Sequence, residues 1–195
     1  MKLLITGGSG FIGSTLVLTA LARGHEVVNL DALTYAANPD SLDEVRANPA
    51  YRFEHADIRD SGALARIFAE HQPDAVMHLA AESHVDRSID GPQVFVDTNV
   101  GGTAQLLQAA TDYFKGLDAG RAAKFRFHHV STDEVYGSLG ATGRFTETSH
   151  YRANFRKNSS RSSSCRPSGA RPSRSMVAAQ MSATGCMSRT MPMPC

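Results

Sequence analysis

The sequence predicts an α/β fold in which a parallel sheet is covered by helices on both faces. Strand-like and helix-like segments alternate along the first 130 residues, which is the order expected of such a sheet. The first strand-like run ends in a cluster of glycines, and polar residues follow the later ones. These positions are the strand ends at which open α/β sheets bind ligands.

Five strands and three long helices are predicted in chain order. The strands occupy residues 2–6, 26–30, 51–54, 75–79 and 124–130. The first helix runs over 11–23, where apolar residues keep helical spacing and Gly24 is a natural stop. The second begins at Asp60 or Ser61 and runs to about His71, before Pro73. The third spans 93–114, and its Gly101-Gly102 pair lets a neighbour pack closely.

Composition changes abruptly near residue 151. Residues 1–151 hold all 19 Asp and Glu but only 12 of the 20 Lys and Arg, a net charge of −7. Residues 152–195 hold the other eight Lys and Arg with no acidic residue, together with ten Ser, five of the seven Met and all three Cys. We therefore expect an incomplete α/β domain at 1–151 and a disordered basic Ser/Arg/Met-rich tail at 152–195.

The sequence also bears on the cellular location of the protein. Because residues 1–151 contain no cysteine, nothing there indicates the disulfide framework of a secreted protein. The first strand reaches Gly7 before a signal-peptide core could form. No run approaches the roughly 20 apolar residues of a membrane helix. We expect a cytoplasmic protein without a membrane partner.

Residues 7–13 read GGSGFIG and place three glycines between the first strand and the first helix. Gly7 would allow a tight turn, and Gly10 would let backbone amides approach a pyrophosphate at the helix N-terminus. Gly13 would let helix and strand pack closely. A tight turn without a ligand is the alternative for such glycines alone. The strand–turn–helix context favours a dinucleotide-binding Rossmann-type doubly wound sheet.

Asp31 ends the second predicted strand, where a carboxylate accepts hydrogen bonds from the ribose hydroxyls of a dinucleotide. No Arg or Lys follows in residues 32–34 to neutralise a 2′-phosphate, so the sequence favours NAD over NADP. A helix cap or turn residue is the alternative for Asp31. Asp57-Ile58 stands where such folds hold the adenine, with a plain loop carboxylate as the alternative for Asp57.

The segment VSTDEVYG at 130–137 carries two adjacent carboxylates after the fifth strand. Like charges beside a low-dielectric wall raise each other's pKa, so Asp133 and Glu134 are candidate functional residues. A solvated acidic turn is the alternative.

Five segments in chain order resemble the dTDP-glucose 4,6-dehydratases, which are extended short-chain dehydrogenases/reductases of nucleotide-sugar metabolism. The segments are GGSGFIG, DALTYA, ADIRD, HLAAESHVDRS and FRFHHVSTDEVYG. The likeness covers nearly all of residues 1–148. STDEVYG is the discriminating segment, because related epimerases share the glycines but not the Asp-Glu pair.

The resemblance implies the dehydration of dTDP-glucose to a 4-keto-6-deoxy sugar nucleotide. Hydride passes from carbon 4 to NAD, water is lost across carbons 5 and 6, and the hydride returns to carbon 6. The elimination needs one base and one acid side by side in opposed protonation states. By resemblance Glu134 is the base, Asp133 is the acid, and Thr132 hydrogen-bonds the reacting hydroxyl. His84 would face the substrate, although a structural loop histidine is the alternative.

The resemblance also implies the residues that surround NAD. They lie in the glycine loop, after the second, third and fourth strands, and in the third helix: Gly7, Gly10, Phe11, Ile12, Gly13, Asp31, Ala32, Leu33, Thr34, Asp57, Ile58, Leu79, Ala80, Ala81, Glu82, Ser83 and Thr98. No metal is implied.

The sequence departs from the family after residue 148. The family carries a Tyr-x-x-x-Lys pair on the next helix, in which the tyrosinate is the base of the hydride step. Here Tyr151 is followed four residues on by Phe155, and Lys157 stands at the wrong offset. A sugar-nucleotide-binding half does not follow either.

An out-of-frame translation from about residue 152 would explain the unusual tail. Codons exist for residues 181–195 such that the frame beginning one nucleotide earlier reads NVRDWLYVEDHADAL. The same shift turns 156–166 into PEKLIPLVILQ and gives 172–180 an ending LPVYGRGAN. All three strings resemble later dehydratase segments, in the right order and one constant frame. A damaged gene and a sequencing error are both open as causes.

Three functions compete: a dTDP-glucose dehydratase damaged in this chain, an NAD-binding fragment without catalysis, and a nucleic-acid-associated protein that uses its tail. The acidic charge of residues 1–151 and a tail whose only aromatic after Tyr151 is Phe155 argue against the third. We expect residual NAD binding without dehydratase activity, and poor solubility. The family dimerises through the helix at 93–114 together with the following one, so a homodimer is left open here.

Overall fold

The computed structural model describes residues 1–84, 91–136, 143–146 and 148–149. Met1–Val130 belongs to one compact unit, and Ser131 begins a second. The expectations for Tyr151, for the missing Tyr-x-x-x-Lys pair and for the tail lie outside the described residues.

The first unit is built on five parallel strands in the order β3-β2-β1-β4-β5. They are β1 (Lys2–Thr6), β2 (Glu26–Asp31), β3 (Tyr51–His55), β4 (Ala75–His78) and β5 (Arg126–His129). Thr6 pairs with Leu30 on one side and with His78 on the other, so the carboxyl ends of three strands meet at one edge. Strand order runs outward from β1 in both directions, which places a topological switch point between β1 and β4. The predicted Rossmann-type α/β sheet is confirmed.

Helices connect these strands. They are α1 (Phe11–Ala22), α2 (Ser61–His71), α3 (Pro92–Phe95), α4 (Thr103–Lys115) and α5 (Ala119–Lys124), with a 3₁₀ segment at Pro39–Val45. A π-helical segment, Val96–Gly102, joins α3 to α4. Asp60 caps α2 by accepting a hydrogen bond from the Ala63 amide at 3.0 Å, which confirms the predicted start of that helix.

Two apolar clusters lie on opposite faces of the sheet because successive strand residues point to opposite sides. On one face, Leu4, Val28 and Val76 pack with residues of α2 and α4. On the other, Leu3, Ile5 and Val27 pack with Val17 and Ala20 of α1. Burial on both faces explains why β1 and most of β2 read as apolar runs, whereas β3 and β5 at the sheet edges carry polar residues.

Two predicted elements differ from the structure. The fifth strand begins at Arg126, not at residue 124, because Lys124 ends α5, a short helix capped by the Asp118 carboxylate. The helix predicted at 93–114 runs from Pro92 to Lys115 but passes through the π segment. No helix among the described residues is long and apolar enough to cross a membrane.

Candidate dinucleotide-binding site

The glycine loop follows β1 and turns because its glycines have no side chain. Gly7 has a φ of +72°, a left-handed conformation that favours glycine, and its amide donates to the Leu30 carbonyl at 2.9 Å. A Cβ on Gly7 would lie 2.7 Å from the Ala80 amide nitrogen, and one on Gly13 would overlap the Gly7 carbonyl oxygen. The tight turn and the close packing predicted for these two glycines are both present.

The loop opens directly into the N-terminus of α1. Gly10 is the N-cap residue, and the Gly10 carbonyl accepts the first intrahelical hydrogen bond, from the Ser14 amide at 2.9 Å. The amides of Phe11 and Ile12 therefore precede the hydrogen-bond ladder of the helix. The Phe11 and Ile12 side chains are exposed by 92% and 61%. Free amides and the positive end of the helix dipole suit an anionic group such as a pyrophosphate.

Asp31 is buried at the carboxyl end of β2, and the backbone already orients its carboxylate. Oδ2 accepts from the Ser9 amide at 2.9 Å, and Oδ1 accepts from the Leu33 amide at 2.8 Å. A carboxylate has about four lone-pair sites, so each oxygen can accept a further donor such as a sugar hydroxyl. A phosphate at this place would meet the negative charge.

The residues after Asp31 form a turn on the surface. Leu33 has a φ of +50°, which costs a non-glycine residue roughly 1–2 kcal/mol and is offset by the bond of its amide to Asp31. Ala32 is half-buried, and Leu33 and Thr34 are exposed. Such local strain is typical of ligand-binding loops.

Asp57 and Ile58 follow β3 and have different surroundings. Ile58 is buried in the core, where a Cβ on Gly102 would lie 2.7 Å from it, so only its backbone faces the strand ends. The Asp57 carboxylate accepts from Arg59 Nε at 3.0 Å and Nη2 at 2.6 Å, and from the Arg59 amide at 2.8 Å. The hydrogen bonds from the Arg59 guanidinium lower the pKa of Asp57 below its ordinary value. The carboxylate is therefore an anchored anion at this edge.

The segment after β4 holds Leu79, Ala80, Ala81, Glu82, Ser83 and His84 along the same edge. The Ala80 amide donates to Thr6 Oγ1 at 3.2 Å, and the Leu79 amide donates to the Thr6 carbonyl at 3.1 Å and to Oγ1 at 3.3 Å. The Asn99 side chain bridges both backbone groups of Glu82 at 2.8 Å each, and Thr98 lies beside Asn99 in the π segment. The exposed His84 ring meets Tyr35 edge-on with centroids 5.1 Å apart.

Behind this segment lies a buried histidine that the sequence did not single out. His78 Nδ1 lies 2.7 Å from Thr6 Oγ1, and His78 Nε2 lies 3.0 Å from Thr103 Oγ1. Burial, with a smaller contribution from His129, lowers the pKa of His78 to about 3. The imidazole is therefore neutral at neutral pH.

The predicted catalytic residues belong to the second unit. Thr132 is exposed, and Asp133 and Glu134 begin a 3₁₀ turn, Asp133–Tyr136. The Tyr136 ring in this unit stacks on Phe145 with centroids 5.0 Å apart. Thr132 directly precedes this turn, and its carbonyl accepts from the Val135 amide at 3.4 Å.

Sequence reasoning missed Thr6, His78, Asn99, Thr103 and Arg59. A weak signal existed for two of them, because a polar residue within or at the end of a buried apolar strand needs a partner. Thr6 and His78 stand at such places. The partners of Asn99 and Arg59 depend on loop geometry that has no sequence signature.

The fold defines a Rossmann-type α/β domain, with a candidate dinucleotide site at the carboxyl ends of its strands. The sequence model described as GDP-mannose 4,6 dehydratase matches residues 4–156. The chain belongs to this family of nucleotide-sugar 4,6-dehydratases.

Within the family, the chain is similar to dTDP-glucose 4,6-dehydratases. It is 55% identical over 159 residues to the enzyme of Xanthomonas campestris pv. campestris strain B100, covering 82% of this chain and 45% of the relative. It is 60% identical over 140 residues to dTDP-glucose 4,6-dehydratase 1 of Escherichia coli K12, covering 71% and 39%.

Among solved structures, the chain is similar to the dTDP-glucose 4,6-dehydratase of Streptomyces venezuelae with NAD and TYD bound. The TM-score is 0.68 with 50% sequence identity, over 79% of this chain and 46% of that structure. The chain thus spans less than half the length of these relatives.

Proposed function

We propose that this chain binds NAD through residues 1–151 and does not catalyse the dehydration that its relatives are named for. The observation that carries the proposal is Asp31. The Ser9 and Leu33 amides hold its carboxylate at 2.9 and 2.8 Å, next to the glycine turn, with acceptor capacity left for two ribose hydroxyls. The negative charge and the lack of a cationic residue at 32–34 favour NAD over NADP.

Other residues at the carboxyl ends of the strands suit the pyrophosphate, the adenine and the nicotinamide half of NAD. The amides of Phe11 and Ile12 would hold the pyrophosphate, with Gly10 and Gly13 permitting the approach. The anchored Asp57 and the backbone of Ile58 would hold the adenine. The segment Leu79–Ser83 and Thr98 would line the nicotinamide half. The anchoring of Asp31, Asp57 and Glu82 before a ligand binds supports this assignment, because preorganisation lowers the cost of binding.

The complete reaction of the family is dehydration of dTDP-glucose. NAD would supply the hydride acceptor and donor. In our proposal Glu134 removes the proton from carbon 5 and Asp133 protonates the hydroxyl that leaves carbon 6, while Thr132 hydrogen-bonds the reacting hydroxyl and His84 faces the substrate. Consecutive positions on one turn support the pairing of Asp133 with Glu134.

The chain as written carries no tyrosine–lysine pair of the required spacing near residue 151. Loss of a general base typically slows a reaction by about two to four orders of magnitude. We therefore propose binding without turnover, and an out-of-frame origin for residues 152–195. The family match ends at residue 156, a few residues beyond this boundary. A cytoplasmic location belongs to the same proposal.

Calorimetric titration of the full chain with NAD and with NADP tests the proposal. We expect NAD to bind more tightly, and Asp31→Asn to weaken NAD binding by about tenfold or more, since a hydrogen bond to a charged group contributes about 1.5–3 kcal/mol. Asp112→Asn, on an exposed face of α4, is the matched control and should leave the affinity unchanged. A folded chain that does not bind NAD would refute the proposed binding. Turnover of dTDP-glucose would refute the proposed inactivity.

A further inference from the structure

Three side chains form a hydrogen-bonded line from β1 through β4 to α4, directly behind the segment Leu79–Ala80. The exposed fractions of Thr6 and His78 are 0% and 1%, and Thr103 is half-buried. The Thr6 hydroxyl lies 2.7 Å from His78 Nδ1, and His78 Nε2 lies 3.0 Å from the Thr103 hydroxyl. None of these side chains has a place in the proposed chemistry.

The contacts around Thr6 fix where the hydrogens lie. The Ala80 amide lies 3.2 Å from Thr6 Oγ1, and the Leu79 amide shares its hydrogen between the Thr6 carbonyl at 3.1 Å and Oγ1 at 3.3 Å; both amides can only donate. The lone pairs of Oγ1 therefore accept, and the hydroxyl hydrogen is donated to His78 Nδ1. A neutral imidazole has one acceptor and one donor, so Nε2 carries the hydrogen and donates to Thr103.

The position of the Leu79–Ala80 peptide matters because the glycine loop touches it. A Cβ on Gly7 would lie 2.7 Å from the Ala80 nitrogen and 2.8 Å from its Cα. A small displacement of this peptide would therefore press on the glycine turn, or open a gap beside it.

We infer that His78 is a positioning residue of the cofactor site. By accepting the Thr6 hydroxyl hydrogen, His78 turns the lone pairs of that hydroxyl toward the Ala80 amide and holds the Leu79–Ala80 peptide, on which the nicotinamide half of NAD would rest. The inference depends on the proposed NAD binding. The hydrogen bond between His78 Nδ1 and Thr6 is the one that positions the peptide, and the hydrogen bond between Nε2 and Thr103 only supports the ring.

Two substitutions separate these contacts. In His78→Asn, the side-chain oxygen can replace Nδ1 as acceptor for Thr6 while the link to Thr103 is lost. In His78→Gln, the longer side chain reaches the Nε2 position and can keep Thr103 while the Nδ1 acceptor is lost. Affinities of the full chain for NAD and for ADP, which lacks the nicotinamide half, are measured for both variants.

We expect His78→Gln to raise the Kd for NAD about tenfold, the equivalent of one hydrogen bond, and to leave the Kd for ADP unchanged. His78→Asn should stay close to the native chain for both ligands. Equal losses in the two variants, or equal losses for NAD and ADP, would indicate general damage and overturn the inference.

Amide hydrogen exchange without ligand keeps this test separate from the proposed NAD binding. His78→Gln should lose protection at Ala80, and His78→Asn should retain it. If the native chain binds no NAD but shows this exchange pattern, the proposed function fails while the control of the peptide by His78 stands. Equal protection of the Ala80 amide in both variants would show that His78 does not position the peptide. If His78→Gln does not fold, Thr6→Val against Thr6→Ser gives the same comparison, and only the valine should lose protection and NAD affinity.

Discussion

Acid should destabilise the Met1–Val130 unit through one buried histidine. The cause is His78, which burial keeps neutral with a pKa of about 3, against 6.5 for the ordinary imidazole. As the pH falls below 6.5, the unfolded chain takes up a proton at this residue and the folded chain does not. Stability must therefore fall with pH between about 6.5 and 3.

The size of this effect follows from the two pKa values. Each pKa unit corresponds to about 1.4 kcal/mol. Between pH 7 and pH 5 the unfolded imidazole gains most of a proton while the folded one gains almost none, and His78 alone lowers the free energy of unfolding by about 2 kcal/mol. His128 and His129, whose pKa values burial also lowers, act in the same direction.

Urea unfolding followed by circular dichroism at pH 7 and pH 5 measures the loss. His78→Asn supplies the control, because it removes the titrating group and retains an acceptor for Thr6. The native chain should lose about 2 kcal/mol more than this variant over the interval. Glu54 and Asp57 have lowered pKa values, so the stability they contribute is lost only at lower pH. Equal losses in the native chain and the variant would show that His78 titrates normally and would refute the reasoning.

Two further predictions concern glycines that lie against other residues. Gly102→Ala should lower the free energy of unfolding in urea by about 1–3 kcal/mol, since its Cβ would lie 2.7 Å from the buried Ile58 side chain. Gly101→Ala should be neutral or stabilising, because its Cβ would meet nothing closer than 3.9 Å. Equal effects of the two substitutions would contradict this prediction. Gly13→Ala should reduce the soluble folded yield severely, because its Cβ would overlap a backbone carbonyl of the glycine turn. Gly62→Ala near the start of α2 should not, and normal yield of both would contradict the overlap.

The centre of the sheet could be predicted because its parallel strands are buried on both faces and read as short apolar runs between turn residues. The π segment could not. It places the Asn99 side chain against the Glu82 backbone at 2.8 Å and Gly102 against Ile58, and such local widening of a helix depends on its neighbours. The predicted helix at 93–114 was therefore right in extent but not in its internal geometry.

The site shows the same division. The position of Asp31 at the end of β2 could be predicted, since the residue closes an apolar run in the sequence; its role toward a ribose stays a prediction. The Thr6–His78 contact joins residues 72 positions apart, and in the sequence His78 is only one polar residue in an apolar run. The alternative interpretations were a cap or turn for Asp31 and a loop carboxylate for Asp57. Both correspond to contacts in the structure, because backbone amides donate hydrogen bonds to both side chains.

The bond between Ser9 and Asp31 links two parts of the candidate site that the sequence treats as separate. The Ser9 amide can reach the Asp31 carboxylate at 2.9 Å only because Gly7 turns the chain with a positive φ. The same turn brings Gly10 to the N-cap of α1 and leaves the Phe11 and Ile12 amides ahead of the helical ladder. One loop conformation therefore sets both the direction of the carboxylate proposed to bind the ribose and the exposure of the amides proposed to bind the pyrophosphate. A change that straightens this turn should weaken both subsites together, whereas a change at Asp31 alone should leave the phosphate subsite in place.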